Sequence, residues 1–307
     1  MYQKLIPKTV LVTGATGLIG SRLTEMLTDN GYRVKCLSRA RPEGSSNVYR
    51  WTISEAFIEE GAFDSVDAIV HLAGEGIADK PWNGKRKREI LESRTHSTRL
   101  IHQYLKSTPH QINTFVCASG IGYYGYGSDD EVFTEDQEPA TDFLAEVVRQ
   151  WEGEADEIGK LGIRTIKIRT GIVLSEEGGA LKELVQPVKW GMGAPLGSGN
   201  QYMSWIHIDD LCRLYLYAIE NPNMQGAYNG VGPTWSTNRE ITREIARILK
   251  RPLWLPPIPA FLLKLVLGEM ADLVLKGSKI SATKVQQTGF TFHYPDLTAA
   301  LSNLLVR

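Results

Sequence analysis

The chain has 307 residues, of which 42% are hydrophobic and 22% are charged, and its formal net charge is −1. This composition is typical of a soluble globular protein, and a charge so close to zero favours neither nucleic acid nor an anionic membrane as a partner. The length allows one large domain or two unequal lobes with a substantial core. The N-terminal residues MYQKLIPK contain no apolar run long enough for a signal peptide, so we expect a cytoplasmic protein.

Three cysteines, Cys36, Cys117 and Cys212, are widely spaced in the sequence. An odd, dispersed set fits neither a disulfide framework nor a clustered zinc site, and no other residues have the spacing of metal ligands. Cys36 and Cys117 lie in apolar runs and are expected to be small buried hydrophobic side chains. The most apolar late stretch, residues 260–275, is too short and too charged to span a bilayer.

The first half of the chain alternates predicted strands and helices. Apolar runs predict strands at residues 9–13, 33–37, 67–72, 113–118 and 163–169. Helical periodicity predicts helices at about residues 18–30, 86–106 and 143–161. Near-continuous apolar strands separated by helices indicate a parallel sheet that is covered on both faces. The predicted fold is therefore α/β, with a doubly wound parallel sheet.

After residue 170 the alternation weakens, and a smaller α+β C-terminal lobe is predicted. Residues 208–220 are expected to form a helix, and Thr237 and Glu240 have the spacing of a capping box that begins another. A group of prolines between residues 252 and 259 then precedes an apolar helix. The predicted domains are residues 1–170 and residues 171–307, with part of residues 202–220 returning to the first.

Three glycines, Gly14, Gly17 and Gly20, follow the first predicted strand and lead into the first predicted helix. Glycines in this position permit a tight turn and let backbone N–H groups approach a pyrophosphate, and the helix N-terminus adds partial positive charge. A plain glycine turn does not account for three glycines at this spacing. The loop therefore predicts a dinucleotide-binding domain in residues 1–170.

The end of the second predicted strand bears on which dinucleotide binds. An NAD-binding protein usually has a carboxylate there for the ribose 2′-hydroxyl, whereas this strand ends in Ser38 and Arg39. Arg39 is able to bind a 2′-phosphate through charge-assisted hydrogen bonds, and no carboxylate repels it. The alternative for Arg39 is an ordinary solvated side chain. We predict NADP(H) as the cofactor.

The segments TGATGLIG, HLAGEGIA, SGIGYYG and WIHIDDL together resemble the extended short-chain dehydrogenase/reductase superfamily. More narrowly, the chain resembles the atypical "epimerase family" branch of NAD(P)-dependent epimerase/dehydratase-like proteins. The late segments NGVGPTWSTNREIT, LGEMADLVLKGSKI and TGFTFHYPDLTAAL resemble the small C-terminal domain of that branch. The resemblance covers essentially the whole chain and implies a Rossmann lobe that carries NADP(H) beneath a substrate-binding lobe in residues 171–307.

The resemblance also implies a set of cofactor-binding residues. In addition to the glycines and to Ser38 and Arg39, these are Thr16, Leu18 and Ile19 in the pyrophosphate loop and Leu72, Ala73, Gly74 and Glu75 after a later strand. From the sequence alone, Glu75 is equally well explained as an exposed acid in a loop.

Active members of the superfamily use a Tyr-x-x-x-Lys pair, in which the tyrosine donates a proton and the lysine lowers its pKa. In this chain the two positions fall on Phe143 and Val147, which can do neither. The usual hydroxyl residue at the end of the fifth strand aligns with Gly120, and Ser119 lies one residue early.

Three routes remain open. Tyr123 or Tyr124 replaces the missing acid, although both are equally well explained as packing aromatics. Alternatively, the substrate supplies its own acidic proton or uses water. In the third case the protein binds NADPH without chemistry. Tyr124 is the first candidate for a catalytic hydroxyl and Ser119 the second.

Trp82, Lys87 and Arg94 flank the loop after HLAGE and are candidates for the lining of a substrate pocket. Most charges in residues 84–89 are more simply explained as the solvated start of a helix. Tyr123 and Arg94 are predicted to contact substrate, and Arg94 lies on a helix whose opposite face is apolar, so it is a candidate anion-binding residue. His207 is either a general acid or, more simply, a structural residue bonded to nearby backbone.

The predicted function is that of an NADP(H)-dependent oxidoreductase or epimerase-like enzyme of atypical mechanism, acting on a small polar or sugar-like molecule. The alternative is a non-catalytic NADPH-binding regulator or sensor. Neither nucleic acid nor membrane is expected as a partner, and the sequence does not decide between a monomer and a homodimer.

Overall fold

The computed structural model describes residues 9–127 and 131–306. Within them the strands are β1 (Thr9–Thr13), β2 (Arg33–Ser38), β3 (Val48–Thr52), β4 (Phe57–Ile58), β5 (Ala68–His71), β6 (Thr114–Gly120), β7 (Val132–Phe133), β8 (Arg164–Thr170), β9 (Ile172–Leu174), β10 (Tyr202–Met203), β11 (Trp205–His207), β12 (Gly226–Gly230), β13 (Ser236–Thr237) and β14 (Lys279–Ile280). The helices are α1 (Leu18–Asp29), α2 (Gly84–Ser107), α3 (Phe143–Gly159), α4 (Gly179–Lys189), α5 (Ile208–Glu220), α6 (Asn238–Ile248), α7 (Ala260–Leu267), α8 (Asp272–Leu275), α9 (Thr283–Gln287) and α10 (Leu297–Leu305).

A single large sheet organises the described residues, with strand order β12-β8-β6-β5-β1-β2-β3-β4. All neighbours in it are parallel except β3 and β4, which pair antiparallel at one edge. Strand β1 is buried along its whole length because helices cover both faces of the sheet. The predicted α/β fold with a doubly wound parallel sheet is confirmed.

The sheet changes direction between β1 and β5. From β1 the chain adds β2 and β3 on one side, and it then returns to place β5 on the other side of β1. Connections that diverge in this way leave a crevice at the carboxyl ends of the two central strands, where nucleotides bind in folds of this type. The loop after β1 and the loop after β5 both open into this crevice.

The two faces of the sheet carry separate helical layers. Helices α2 and α3 pack together on one face over a core that includes Leu11 and Phe115. Helices α1 and α5 pack together on the other face over a core that includes Val12 and Trp205. Alternate residues of a strand point to opposite faces, which is why neighbouring residues such as Leu11 and Val12 enter different cores.

Several elements from beyond residue 170 lie with the first half of the chain. Strand β12 pairs with β8 at one edge of the main sheet, and α5 packs on α1. The sequence did not predict β12, because its residues GAYNG have little of the β-branched, apolar character of a buried strand. The division into domains at residue 170 stays a prediction. Among the described residues, no helix is both long enough and apolar enough to cross a bilayer.

Candidate functional site

The glycine loop, residues 14–20, is held in a shape that side chains would prevent. Gly14 has φ +69°, and a Cβ there would lie 2.9 Å from the carbonyl carbon of Leu72. A Cβ at Gly20 would collide with the carbonyl oxygen of Gly14. Gly14 therefore lets β1 approach the loop after β5, and Gly20 lets α1 approach the turn.

The N-terminus of α1 is open toward solvent. Its N-cap is Gly17, no side chain of residues 9–127 or 131–306 accepts a hydrogen bond from its first turn, and that turn contains no acidic residue. Thr16 and Gly17 are exposed, whereas Leu18 and Ile19 are partly buried. Unpaired N–H groups and the positive end of the helix dipole thus face the crevice, which suits a phosphate group.

Buried hydrogen bonds support the loop after β5. The Thr13 hydroxyl oxygen accepts bonds from the backbone N–H groups of Leu72 and Ala73, at 3.1 Å each. The same hydroxyl lies 2.8 Å from Nδ1 of His71, whose Nε2 lies 3.1 Å from the hydroxyl of Ser97. Burial, together with nearby Arg94, lowers the pKa of His71 to about 3. His71 is therefore neutral, and it fixes Thr13 against the loop that borders the crevice.

At the far end of the crevice, Arg39 and Glu75 face each other. The Arg39 side chain is 85% exposed, and its Nη1 lies 3.4 Å from a carboxylate oxygen of Glu75. The other carboxylate oxygen of Glu75 accepts a bond of 3.1 Å from buried Arg86. Ser38 is partly buried at the end of β2. An exposed pair at this distance contributes little, so an incoming anion can displace Glu75 from Arg39 at small cost.

Arg94 lies beneath the loop after β5. It is 8% exposed, and the one hydrogen bond seen for its guanidinium within the described residues goes to the backbone oxygen of Ile90. A Cβ on Gly74 would lie 3.1 Å from the guanidinium carbon, so the absence of a side chain at Gly74 allows this approach. Burial lowers the pKa of Arg94 to about 10. The guanidinium carbon also lies 5.2 Å from the ring centroid of Trp151. A buried cation without a directly bonded carboxylate among the described residues is suited to an anion in the crevice, although its predicted contact with substrate stays a prediction.

Ser119, Tyr124, Glu152 and Arg169 form what we call the buried polar network. Two nitrogens of Arg169 donate to the two carboxylate oxygens of Glu152 at 2.8 and 2.9 Å, and Ser119 donates to the same carboxylate at 2.6 Å. Arg169 also donates to the Tyr124 hydroxyl at 2.9 Å, and that hydroxyl lies 2.7 Å from the amide oxygen of Asn229. The donors and acceptors of these side chains thus satisfy one another.

The network engages both hydroxyls that the sequence proposed for catalysis. Tyr124 is 3% exposed and Ser119 is 5% exposed. Burial raises the pKa of Tyr124 to about 12, which opposes proton donation at neutral pH. Tyr123 is partly exposed, and the guanidinium of Arg169 lies 3.4 Å from its ring centroid. Catalytic roles for Tyr124 and Ser119, and substrate contact for Tyr123, stay predictions that require this network to open.

A cleft of about 510 Å³ lies between the N-terminal ends of α2 and α3 and the segment that begins in α7. We call it the aromatic cleft; its lining includes Trp82, Lys87, Tyr126, Phe143, Lys264 and Glu269. Of the residues that the sequence offered for catalysis or the substrate pocket, Trp82 and Lys87 line this cleft. Four others that the structure describes do not line it: Arg94, Ser119, Tyr123 and Tyr124. Phe143, the residue at the expected tyrosine position, forms part of the wall.

The ammonium group of Lys87 lies over the ring of Phe143, the residue at the expected tyrosine position. The ammonium group of Lys87 lies 5.1 Å from the ring centroid of Phe143 and 5.9 Å from that of Trp82, and it pairs with the carboxylate of Glu269. The two rings meet edge to face with centroids 5.1 Å apart. The cleft therefore offers a positive group with N–H donors close to the position where the missing pair would act. Val147, by contrast, is fully packed and 2% exposed.

Sequence reasoning missed Tyr126 as a residue of the site. It lies two residues beyond Tyr124 in SGIGYYGYG and lines the aromatic cleft, with 38% of its surface exposed. Partial burial, with additional contributions from Asp142 and Asp272, raises its pKa to about 12. The position of the Tyr-Gly pair in the superfamily pattern drew attention to Tyr124, whereas the turn at Gly125 exposes the later tyrosine.

His207 has the structural role that the simpler explanation expected. Its Nδ1 accepts a bond of 3.0 Å from the backbone N–H of Asp209 and caps α5, and its Nε2 lies 3.1 Å from Asn303. This explanation is confirmed. In the part of the chain that the structure describes, no group of three or more His, Cys, Asp or Glu side chains is placed to hold a metal ion.

The sheet, the crevice and the glycine loop define a dinucleotide-binding protein of the Rossmann type. The sequence profile of the NAD dependent epimerase/dehydratase family matches residues 10–230, and that of a domain of unknown function (DUF1731) matches residues 258–304. The chain therefore belongs to the NAD dependent epimerase/dehydratase family. The predicted resemblance to the atypical epimerase branch is confirmed by these matches and by the named relatives.

The similarity extends over nearly the whole chain. "Epimerase family protein YfhF" of Bacillus subtilis is 37% identical over 299 residues, which cover 96% of this chain and 97% of the relative. The human epimerase family protein SDR39U1, whose crystal structure was solved with NADPH, is 33% identical in sequence to this chain. The two structures agree with a TM-score of 0.86 over 96% of this chain and 98% of that chain. A nucleoside-diphosphate sugar epimerase from Corynebacterium glutamicum is 32% identical, with a TM-score of 0.80 over 97% of this chain and 58% of that chain.

Proposed function

We propose that the protein binds NADP(H) in the crevice and acts as an oxidoreductase or epimerase-like enzyme on a small molecule in the aromatic cleft. The observation that carries the cofactor proposal is the open N-terminus of α1 behind Gly17, aligned with a β2 end that carries Arg39 and no carboxylate. The human relative crystallised with NADPH supports the same cofactor. A nicotinamide cofactor supplies a hydride, and the protein supplies binding and orientation.

The residues present fit such a cofactor. Gly14, Gly17 and Gly20 provide the close backbone approach, and the first turn of α1 provides unpaired N–H groups for the pyrophosphate. Ser38, the last residue of β2, and the exposed Arg39 that follows it would bind the 2′-phosphate. The lining between these points would come from Thr16, Leu18, Ile19, Leu72, Ala73, Gly74 and Glu75, with Arg94 as an additional buried cation beside Gly74.

The cofactor proposal is tested by replacing Arg39 with alanine. We expect NADPH to bind more weakly by about 1.5–3 kcal/mol, the contribution of a charged hydrogen bond, and NADH to bind as before. Titration of both cofactors into the parent and the variant measures this difference. Arg41→Ala is the matched control, because Arg41 lies two residues further on and is bonded to Glu59. Equal losses for NADH and NADPH would show that Arg39 does not read the phosphate.

A second function, NADPH binding without chemistry, is favoured by one observation. Tyr124 and Ser119 are both sealed in the buried polar network, so neither is free to donate a proton as the structure stands. The two functions differ in a simple measurement, namely the oxidation of bound NADPH by a panel of small aldehydes, ketones and keto acids. Saturable oxidation by any member supports the enzyme, whereas binding of NADPH without oxidation supports the sensor.

A further inference from the structure

The charged groups of the aromatic cleft are not equally available to a ligand. Asp142 accepts bonds from the backbone N–H groups of Leu144 and Ala145 and caps α3. Asp272 pairs with Lys276, and Glu269 pairs with Lys87. Each of these carboxylates therefore already has a partner within the chain, through contacts that use one of its two oxygens.

The cations and rings of the cleft are more available. Lys87 carries three N–H donors, and one carboxylate does not use all of them. Lys264 also lines the cleft, is exposed, and makes no ion pair within 4 Å among the described residues. Trp82, Tyr126 and Phe143 provide ring surface on the same cleft. The rings, the ammonium group of Lys264 and the remaining N–H donors of Lys87 favour a flat, conjugated ligand that carries negative charge.

We propose that the aromatic cleft binds a planar, conjugated carbonyl compound with one acidic group. The rings of Trp82 and Phe143 contact its flat part, and Lys87 and Lys264 donate hydrogen bonds to its oxygens. This ligand class rests on the proposed function, because hydride transfer requires an unsaturated carbon, and it replaces the broader expectation of a sugar-like substrate. The volume of about 510 Å³ is in the range of pockets that hold small molecules.

Benzoylformate is a suitable probe because it combines a phenyl ring, a ketone and a carboxylate. Two matched probes separate the contributions: methyl benzoylformate removes the charge, and glucuronate keeps the charge but replaces the flat ring with a hydroxylated one. Ligand-observed NMR on the full chain without cofactor measures all three. We expect saturable binding of benzoylformate, and binding at least tenfold weaker for each of the other two.

Variants locate the site. Lys87→Met should weaken benzoylformate binding about tenfold or more, because a charged donor is lost while the length of the side chain is kept. Lys85→Met is the control: Lys85 lies on the same helix, is highly exposed, faces Glu89 and does not line the cleft. Phe143→Leu, which removes the ring and keeps an apolar side chain, should also weaken binding.

Three results would overturn the proposal: no saturable binding of benzoylformate up to 20 mM, glucuronate binding as tightly as benzoylformate, or equal binding by the parent and Lys87→Met. The outcome is independent of the cofactor proposal. Benzoylformate binding by a protein that fails to bind NADPH would leave this ligand site in place and reject the proposed function. NADPH binding without benzoylformate binding would leave the proposed cofactor site in place and reject the proposed ligand class.

Discussion

At the carboxyl edge of the sheet, the glycine loop leaves backbone N–H groups of α1 without side-chain partners in the part of the chain that the structure describes, whereas the buried polar network pairs the donors and acceptors of its side chains. The first region is exposed and is complementary to an anion that is not part of the chain. The buried polar network is excluded from solvent, and its side chains form hydrogen bonds with one another. A region that binds a ligand keeps unsatisfied groups at its surface, and a region that stabilises the fold satisfies its polar groups internally.

This difference predicts that the two regions respond oppositely to substitution. Changes in the buried polar network should reduce stability and leave cofactor binding intact. Changes in the glycine loop should abolish cofactor binding and leave stability nearly intact. The following experiments test this separation in order of expected effect.

The largest effect is expected for Glu152→Ala. Glu152 is buried and accepts hydrogen bonds from both Arg169 and Ser119, so its removal leaves a buried guanidinium without its carboxylate. The free energy of unfolding should fall by about 3–5 kcal/mol, measured by urea denaturation. NADPH affinity at low temperature should match that of the parent. Glu157→Ala on the same helix, where Glu157 pairs with exposed Lys160, should leave stability close to that of the parent.

Gly17→Val should have the reverse effect. Gly17 has φ −80°, which valine tolerates, so the fold should persist with a loss of at most about 1 kcal/mol. The branched side chain occupies the space where the pyrophosphate meets the backbone, so NADPH affinity should fall at least about 100-fold, or about 2.7 kcal/mol. The readout is the rise in Tm caused by NADPH. An equal rise in parent and variant would contradict the proposed role of the loop.

The pH dependence of the free energy of unfolding tests the buried role of His71, which bonds to Thr13 below the loop after β5. The folded pKa of His71, about 3, lies below its ordinary value of 6.5, so the unfolded chain binds a proton that the folded protein excludes. The contribution of neutral His71 to the stability of the fold is complete above pH 6.5 and is lost progressively as the pH falls toward 3. As the pH falls from 7 to 5, the protonation of His71 in the unfolded chain should lower the free energy of unfolding by about 2 kcal/mol.

The control for this titration is His71→Gln, which does not titrate and should lack that part of the pH dependence. Buried His207 also has a lowered pKa and remains in both proteins, so the difference between the two curves isolates His71. Identical pH dependence in parent and variant would show that His71 is solvated in the folded protein.

The smallest effect is expected for Tyr124→Phe. Loss of the hydroxyl removes hydrogen bonds with Asn229 and Arg169, and the unfolding free energy should fall by about 1–2 kcal/mol. The predicted role as proton donor requires in addition that turnover of a carbonyl substrate slows at least tenfold, about 1.4 kcal/mol of barrier. Lower stability with unchanged turnover would limit Tyr124 to the buried polar network and direct attention to Lys87 and Tyr126.

Much of the sheet and the glycine loop could be predicted because each is specified by residues that are adjacent in the sequence. The predicted helix at residues 208–220 coincides with α5, and the predicted capping box of Thr237 and Glu240 is present at the start of α6. Strand β12 was missed because its place in the sheet depends on pairing with β8, not on its own apolar pattern. Tyr126 was missed because its exposure depends on how the chain turns at Gly125.

The sequence by itself therefore determined the fold class, the glycine loop and the character of the end of β2. Each of these is encoded by a few neighbouring residues that act through local backbone geometry. Only the tertiary structure decided that the Tyr124 and Ser119 hydroxyls meet Arg169 and Glu152, and that Lys87 lies over Phe143. The partners in these contacts come from separate strands and helices. Their chemistry depends on burial and on distances across the fold, which no local pattern of residues specifies.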